Sequence, residues 1–367
     1  MQLFLDPYRV GRRGPEVGLH AATLAAWERP FGRPARLYSL PARPERKGLP
    51  ELVWIGKEQV VDLATGIPPR ALRRAPELSL TGTGPANTIV HGDNLLALAA
   101  LLPAYREKVK LVFIDPPYNA PGERWPYEDR LYEPPAEGWF GEVGAEDEDP
   151  LRHDKWLCMM YPRLELLRDL LSPEGRIFVT MGENEAPRLR LLMNEVFGPG
   201  TFLGCAAWHK GPSPGQNAGF LSKTHNYVVV HAKNAAPKPE ANLPTTWWTA
   251  GEFGDSEEAR RELEALFPER EDLFAIPKPT RLVRRIVEAA TDPRGGDVVL
   301  DCFAGSGTTA QAVLEQNAWD GGDRRFVLVE MAGFANDLTA ERVRRVLSGG
   351  DRSSSAGFDF YELDEVR

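Results

Sequence analysis

Hydrophobic and polar positions follow two periods along this chain. Predominantly apolar runs of strand length recur at residues 88–90, 111–114, 176–180, 202–209, 226–232, 297–300 and 325–329. Between several of them lie segments whose apolar residues fall three and four apart. The first pattern belongs to buried strands and the second to amphipathic helices. Helices are therefore predicted over residues 95–102, 155–171, 186–197, 256–266 and 280–290, with another opening at Thr308. Strand and helix alternate, which implies a mostly parallel α/β sheet; the pair 202–209 and 226–232, joined by a glycine- and proline-rich loop at 211–219, is expected to be antiparallel at one side.

The same patterning divides the chain. Residues 1–86 read as a basic arm with a short helix at 19–27, a small hairpin at 51–63 and a linker marked by prolines and by the run 81–85. The main domain is expected over 87–232 and 277–346. A short insert at 233–276 breaks the periodicity between these parts, and a tail follows at 347–367.

Composition adjusts this picture. The chain of 367 residues is 42% hydrophobic and carries a net charge of −9, the profile of a globular protein. Its apolar runs stop short of a membrane span, and the first residues lack a signal segment, so a cytoplasmic protein is expected. Cys158, Cys205 and Cys302 lack metal-ligand spacing and read as reduced thiols, with no metal site. Charge is unevenly spread: residues 1–86 hold 13 lysines and arginines against 8 acids, whereas 142–149 form an acidic loop.

Two motifs carry chemistry. The apolar run 111–114 ends in Asp115, Pro116, Pro117 and Tyr118. Each proline fixes its own φ and lacks an N–H, so the turn's carbonyls are left to accept hydrogen bonds beside one carboxylate and one aromatic ring. Such a group suits a planar amine. Far downstream, the run 297–300 leads into Asp301, Cys302, Phe303, Ala304, Gly305, Ser306, Gly307 and Thr308, a glycine-punctuated turn opening a helix, where backbone N–H groups can approach a ligand. No Gly-Lys-Ser/Thr follows, so it is not a P-loop, and its spacing is not that of the dinucleotide fingerprint.

Together these residues resemble the β-class DNA amino-methyltransferases, in which the target-base motif precedes the cofactor motif. Residues 52–57, 92–98, 160–164 and 303–313 look most similar to modification subunits of type III restriction-modification systems. The resemblance implies a Rossmann-like, S-adenosylmethionine-dependent methyltransferase fold, circularly permuted. It implies adenine-N6 methylation, ahead of cytosine-N4, RNA or protein-glutamine methylation and ahead of a non-catalytic DNA-binding role. Asp115, Pro116, Pro117 and Tyr118 become the catalytic group. Phe303, Ala304, Gly305, Ser306, Gly307 and Thr308 become the cofactor loop, with Asp301 near the cofactor's amino group, Glu330 on its ribose, Asp93 at its adenine, and Lys278 and Pro279 lining the site. Trp208, His209, Lys210 and His225 are expected at the flipped base, with the short insert as the target-recognition region. The implied partners are double-stranded DNA, a restriction subunit and a second copy of the chain.

Overall fold

The apolar runs become strands of one sheet. The computed structural model describes residues 51–67, 70–84, 86–120, 123, 149–211, 223–234, 245–270, 273, 276–349 and 356–364. Their strands are β1 (Leu72–Arg74), β2 (Asn87–His91), β3 (Val109–Ile114), β4 (Leu171–Met181), β5 (Phe202–His209), β6 (His225–Ala232), β7 (Trp247–Trp248), β8 (Val298–Asp301), β9 (Arg325–Glu330) and β10 (Phe358–Leu363). They lie in the order β1-β10-β2-β9-β8-β3-β4-β6-β5-β7. From β10 to β4 all neighbours are parallel, and β6 runs antiparallel to both β4 and β5, as the sequence implied.

The helices are α1 (Lys57–Val60), α2 (Leu63–Gly66), α3 (Asn94–Tyr105), α4 (Arg152–Leu170), α5 (Ala186–Phe197), α6 (Ala250–Phe253), α7 (Ser256–Leu266), α8 (Thr280–Ala290), α9 (Thr308–Asp320) and α10 (Glu341–Gly349). Side chains alternate across a strand, so each central strand feeds two cores. Leu111 and Phe113 of β3 join Leu282, Val283 and Ile286 of α8, while Val112 and Ile114 are buried on the opposite face. Among the described residues no helix is long and apolar enough to cross a membrane.

Three expectations need correction. Residues 51–63 form no hairpin. Gly56, at φ 91°, turns the chain into α1, and Trp54 buries its ring against Tyr161 at 5.6 Å while its Nε1 donates to Cys158 Sγ at 3.2 Å. Packing onto α4 thus outweighs the strand propensity of this stretch. The tail is not an appendage: β10 inserts between β1 and β2, with Phe358 and Phe360 fully buried. Nor is the insert separate, because β7 extends the sheet beside β5 and Trp248 stacks on Phe253 at 4.3 Å. On α7, Glu262 accepts the Thr280 N–H at 3.0 Å, fastening the insert to α8.

The predicted helix at 19–27 and residues 1–50 of the basic arm lie outside the described residues. So do the acidic loop, apart from Asp149, and the 211–219 loop, apart from Gly211. Asp149 pairs with Lys155 at 2.8 Å. Cys158, Cys205 and Cys302 are present as thiols.

Candidate active site

Five parallel strands, β2, β9, β8, β3 and β4, finish at one edge of the sheet, and four of them deliver an acid there. Asp115 follows β3, Asp301 and Glu330 end β8 and β9, and Asp93 stands two residues beyond β2. The carboxyl edge of an open parallel sheet is where α/β folds bind ligands.

At β3 the turn is held from several sides. Thr180, on the neighbouring β4, donates its hydroxyl to Asp115 Oδ1, and Lys278 Nζ donates to Asp115 Oδ2. Trp156 Nε1 donates to the Pro117 carbonyl at 2.8 Å, whereas no donor among the described residues takes the carbonyl of buried Pro116. Glu123 caps the N–H groups of Tyr118 at 3.2 Å and Ala120 at 2.8 Å. Burial, followed by the nearby Asp115 charge, pushes the Tyr118 phenol well above its ordinary range, so it stays protonated; Asn226 Nδ2 donates to its oxygen at 3.4 Å. Gly182 lies under the ring, where a Cβ would stand 3.1 Å from it.

Asn119 turns the chain away from this group with φ 55° and reaches a network below it. Its Nδ2 donates to Glu185 Oε1 at 2.6 Å, and Arg152 Nε donates to its Oδ1 at 2.6 Å. Glu185 is fully buried, and burial raises its carboxyl despite the hydrogen bonds from Asn119 and His153.

The glycine-rich loop is equally constrained. Phe303 N–H and Thr309 Oγ1 donate to the two oxygens of Asp301, and burial pushes that carboxyl up to about 7. Glu330 accepts the Gly305 N–H at 2.7 Å and the Ala332 N–H at 2.9 Å, and burial raises it as well. Gly307 has φ 85°, and a Cβ there would lie 2.9 Å from the Thr339 carbonyl oxygen, so a side chain is excluded on both counts. Ser306 and Thr308 hydroxyls meet the guanidinium of fully buried Arg342, each at 2.9 Å. Phe303 and Ala304 are nearly buried, and Gly305 is partly open.

Asp93 caps α3, accepting the N–H of Leu95 at 2.9 Å and of Leu96 at 3.1 Å, with Arg163 3.5 Å behind it. Pro279 starts α8, and the Lys278 carbonyl accepts Thr308 Oγ1 at 3.3 Å. Trp208, expected at the flipped base, lies in the core, 1% exposed, with its Nε1 donating to the Gly254 carbonyl at 2.9 Å. Its neighbours His209 and Lys210 are half-buried at the same edge, and burial together with the Lys278 charge lowers Lys210. His225 Nε2 lies 3.2 Å from the Tyr227 hydroxyl. In the sequence Asn226 and Asn119 are marked only by adjacency to His225 and Tyr118, and Thr180 and Trp156 are not marked at all.

Comparison with known proteins gives this edge a context. A family model described as DNA methylase matches residues 109–335. The StyLTI Mod subunit of a type III restriction-modification enzyme from Salmonella typhimurium is 27% identical, over 76% of this chain and 60% of that protein. The corresponding EcoPI Mod subunit from Escherichia phage P1 is 32% identical, over 50% of this chain and 30% of that one. The chain thus spans between 30% and 60% of the length of these two relatives. Among solved structures, the PvuII DNA methyltransferase, described as cytosine-N4-specific, is similar with a TM-score of 0.50 at 19% identity, over 73% of this chain and 96% of that one. At that identity the likeness shows a shared fold.

Proposed function

The chain belongs to the DNA methylase family whose model it matches, and from that premise we propose that it methylates the N6 amino group of an adenine flipped out of double-stranded DNA, using S-adenosylmethionine. One observation carries the reading: the carboxylate of Asp115 is oriented from both sides at a strand end, beside a protonated tyrosine and a glycine loop on the adjoining strand. Glycines at φ 52° and 85° keep Cβ atoms out of the loop, and the Glu330 carboxylate stands at the end of the next strand, a donor set that fits a nucleoside-bearing cofactor. When bound, that cofactor supplies a sulfonium methyl group, whose carbon–sulfur pair goes to sulfur as the amine's lone pair forms the new carbon–nitrogen bond.

An exocyclic amine is a weak nucleophile because its lone pair is delocalised into the ring. Asp115 accepts one of its N–H bonds and the Pro116 carbonyl the other, drawing the nitrogen toward tetrahedral geometry. Hydrogen bonds to a charged partner are worth roughly 1.5–3 kcal/mol each. The departing amine proton passes through the Asp115 carboxylate to solvent. A base inside a duplex is out of reach, so it must be extruded, and stacking on Tyr118 would return about 1–3 kcal/mol. By analogy with the type III Mod subunits, a restriction subunit is the proposed partner, and a second copy of the chain the proposed companion on DNA.

The test uses tritiated S-adenosylmethionine and genomic DNA from a host lacking DNA methylation, followed by nucleoside mass spectrometry and single-molecule sequencing. N6-methyladenine at a defined motif is expected; N4-methylcytosine would reassign the base, and no incorporation would refute the reading. Asp115→Ala should abolish transfer and leave cofactor binding, measured by calorimetry, intact.

A further inference from the structure

Lys278 was expected to line the cofactor site, yet its ammonium group points to the other motif. Its Nζ donates to Asp115 Oδ2 and stands 5.1 Å from the centroid of the Tyr118 ring, within cation–π range. Its main chain belongs to the cofactor side, since its carbonyl accepts the hydroxyl of Thr308, the residue that closes the glycine loop. Pro279 fixes the backbone immediately after it, and the residue is 7% exposed. One residue, 163 positions from Asp115 along the chain, therefore touches both motifs, Asp115 with its side chain and Thr308 with its carbonyl.

We propose that Lys278 is a positioning residue for methyl transfer: with Thr180 it clamps the Asp115 carboxylate so that a free lone pair stays aimed at the incoming amine, and it ties that orientation to the cofactor loop. This rests on the methyltransferase reading above. An aspartate carboxyl rotates freely unless held, and an acceptor fixed beforehand costs no reorganisation during the reaction. Thr180 Oγ1 occupies Oδ1 and Lys278 occupies Oδ2, and a carboxylate offers about four lone-pair sites, so capacity for the substrate N–H remains. The ammonium also offsets the cost of keeping a carboxylate in a pocket that base and cofactor close to water. Lys210 stands near enough to Lys278 for the two like charges to repel.

The experiment measures single-turnover methyl transfer to unmethylated genomic DNA by the full chain and by Lys278→Met, Lys278→Arg, Thr180→Val and the double variant, with cofactor affinity measured by calorimetry. Lys278→Met is expected to slow transfer by about 10²-fold, the scale of losing one preorganised polar contact, with cofactor affinity little changed. Lys278→Arg should restore much of the rate. The double variant should be less impaired than the product of the single effects, because both side chains hold the same carboxylate. A Lys278→Met rate equal to wild type, or a loss confined to cofactor affinity and not rescued by arginine, would overturn the proposal. If the wild-type chain itself transfers no methyl group, the functional reading falls and takes this one with it; an active wild type matched by Lys278→Met sinks only this one.

Discussion

Asp301 is 3% exposed at the end of β8, and burial pushes its carboxyl up to about 7 although Thr309 and Phe303 hydrogen-bond it. An unfolded aspartate titrates near about 3.9, so between about pH 4 and 7 the folded chain keeps a proton that the unfolded chain has lost. The folded state binds more protons, and stability therefore falls as pH rises through that window. Asp301→Asn keeps an oxygen for the Phe303 N–H and does not titrate. Wild type should thus lose stability relative to this variant, by a few kcal/mol as an order of magnitude, between about pH 4.5 and about pH 7.5. Denaturant midpoints at both pH values check this, and a constant difference would refute it. The four strand-end acids were legible because each follows an apolar run, a purely local signal. The partners of Asp115 were not: Thr180 is 65 residues away and Lys278 is 163, and no local pattern records which side chains a sheet brings together.

At the scale of elements, the boundaries read from helical spacing at 186–197, 256–266 and 280–290 coincide with α5, α7 and α8. Strong amphipathicity made these legible. The stretch before α1 misled because its apolar residues suit a strand, and only the α4 surface decides that Trp54 packs there. α10 shows how an element without catalytic residues can govern a site. Its Arg342 is fully buried, lowered to about 10 by burial and so still charged near neutral pH, and its guanidinium bonds Gln311 at 2.7 Å, Ser306 and Thr308 at 2.9 Å and Thr280 at 3.2 Å. These acceptors span the glycine loop, α9 and the start of α8. Arg342→Met leaves four buried acceptors without their donor, and should cost roughly 3 kcal/mol. A lower denaturant midpoint and weaker cofactor binding by calorimetry are expected; unchanged values for both would show that the loop holds itself.

Across the whole molecule the sheet is closed on its β2 side by a strand from the far end of the chain. β10 separates β2 from solvent and is the partner that holds β1, with Ala75 N–H donating to the Phe360 carbonyl at 2.8 Å and Phe358 and Leu80 exchanging hydrogen bonds at 2.9 Å. Only six residues long and without a visible partner in the sequence, it reads as tail despite the alternation in Phe358–Leu363. Its removal would have two consequences. Phe358 and Phe360, each fully buried, contribute about 1.5–3 kcal/mol apiece, a large share of the ~5–15 kcal/mol that holds a typical domain. β2 would also become an edge strand, and β2 leads directly to Asp93 and pairs with β9, which carries Glu330. A chain ending at Gly349 should therefore unfold at a markedly lower urea concentration and bind cofactor more weakly, although every residue of the active-site edge is still present. Adding a peptide of residues 356–367 should recover part of both losses by re-forming the strand. If the shortened chain matched the full one in midpoint and affinity, β10 would be a passive cover and the cofactor edge would be rigid without it.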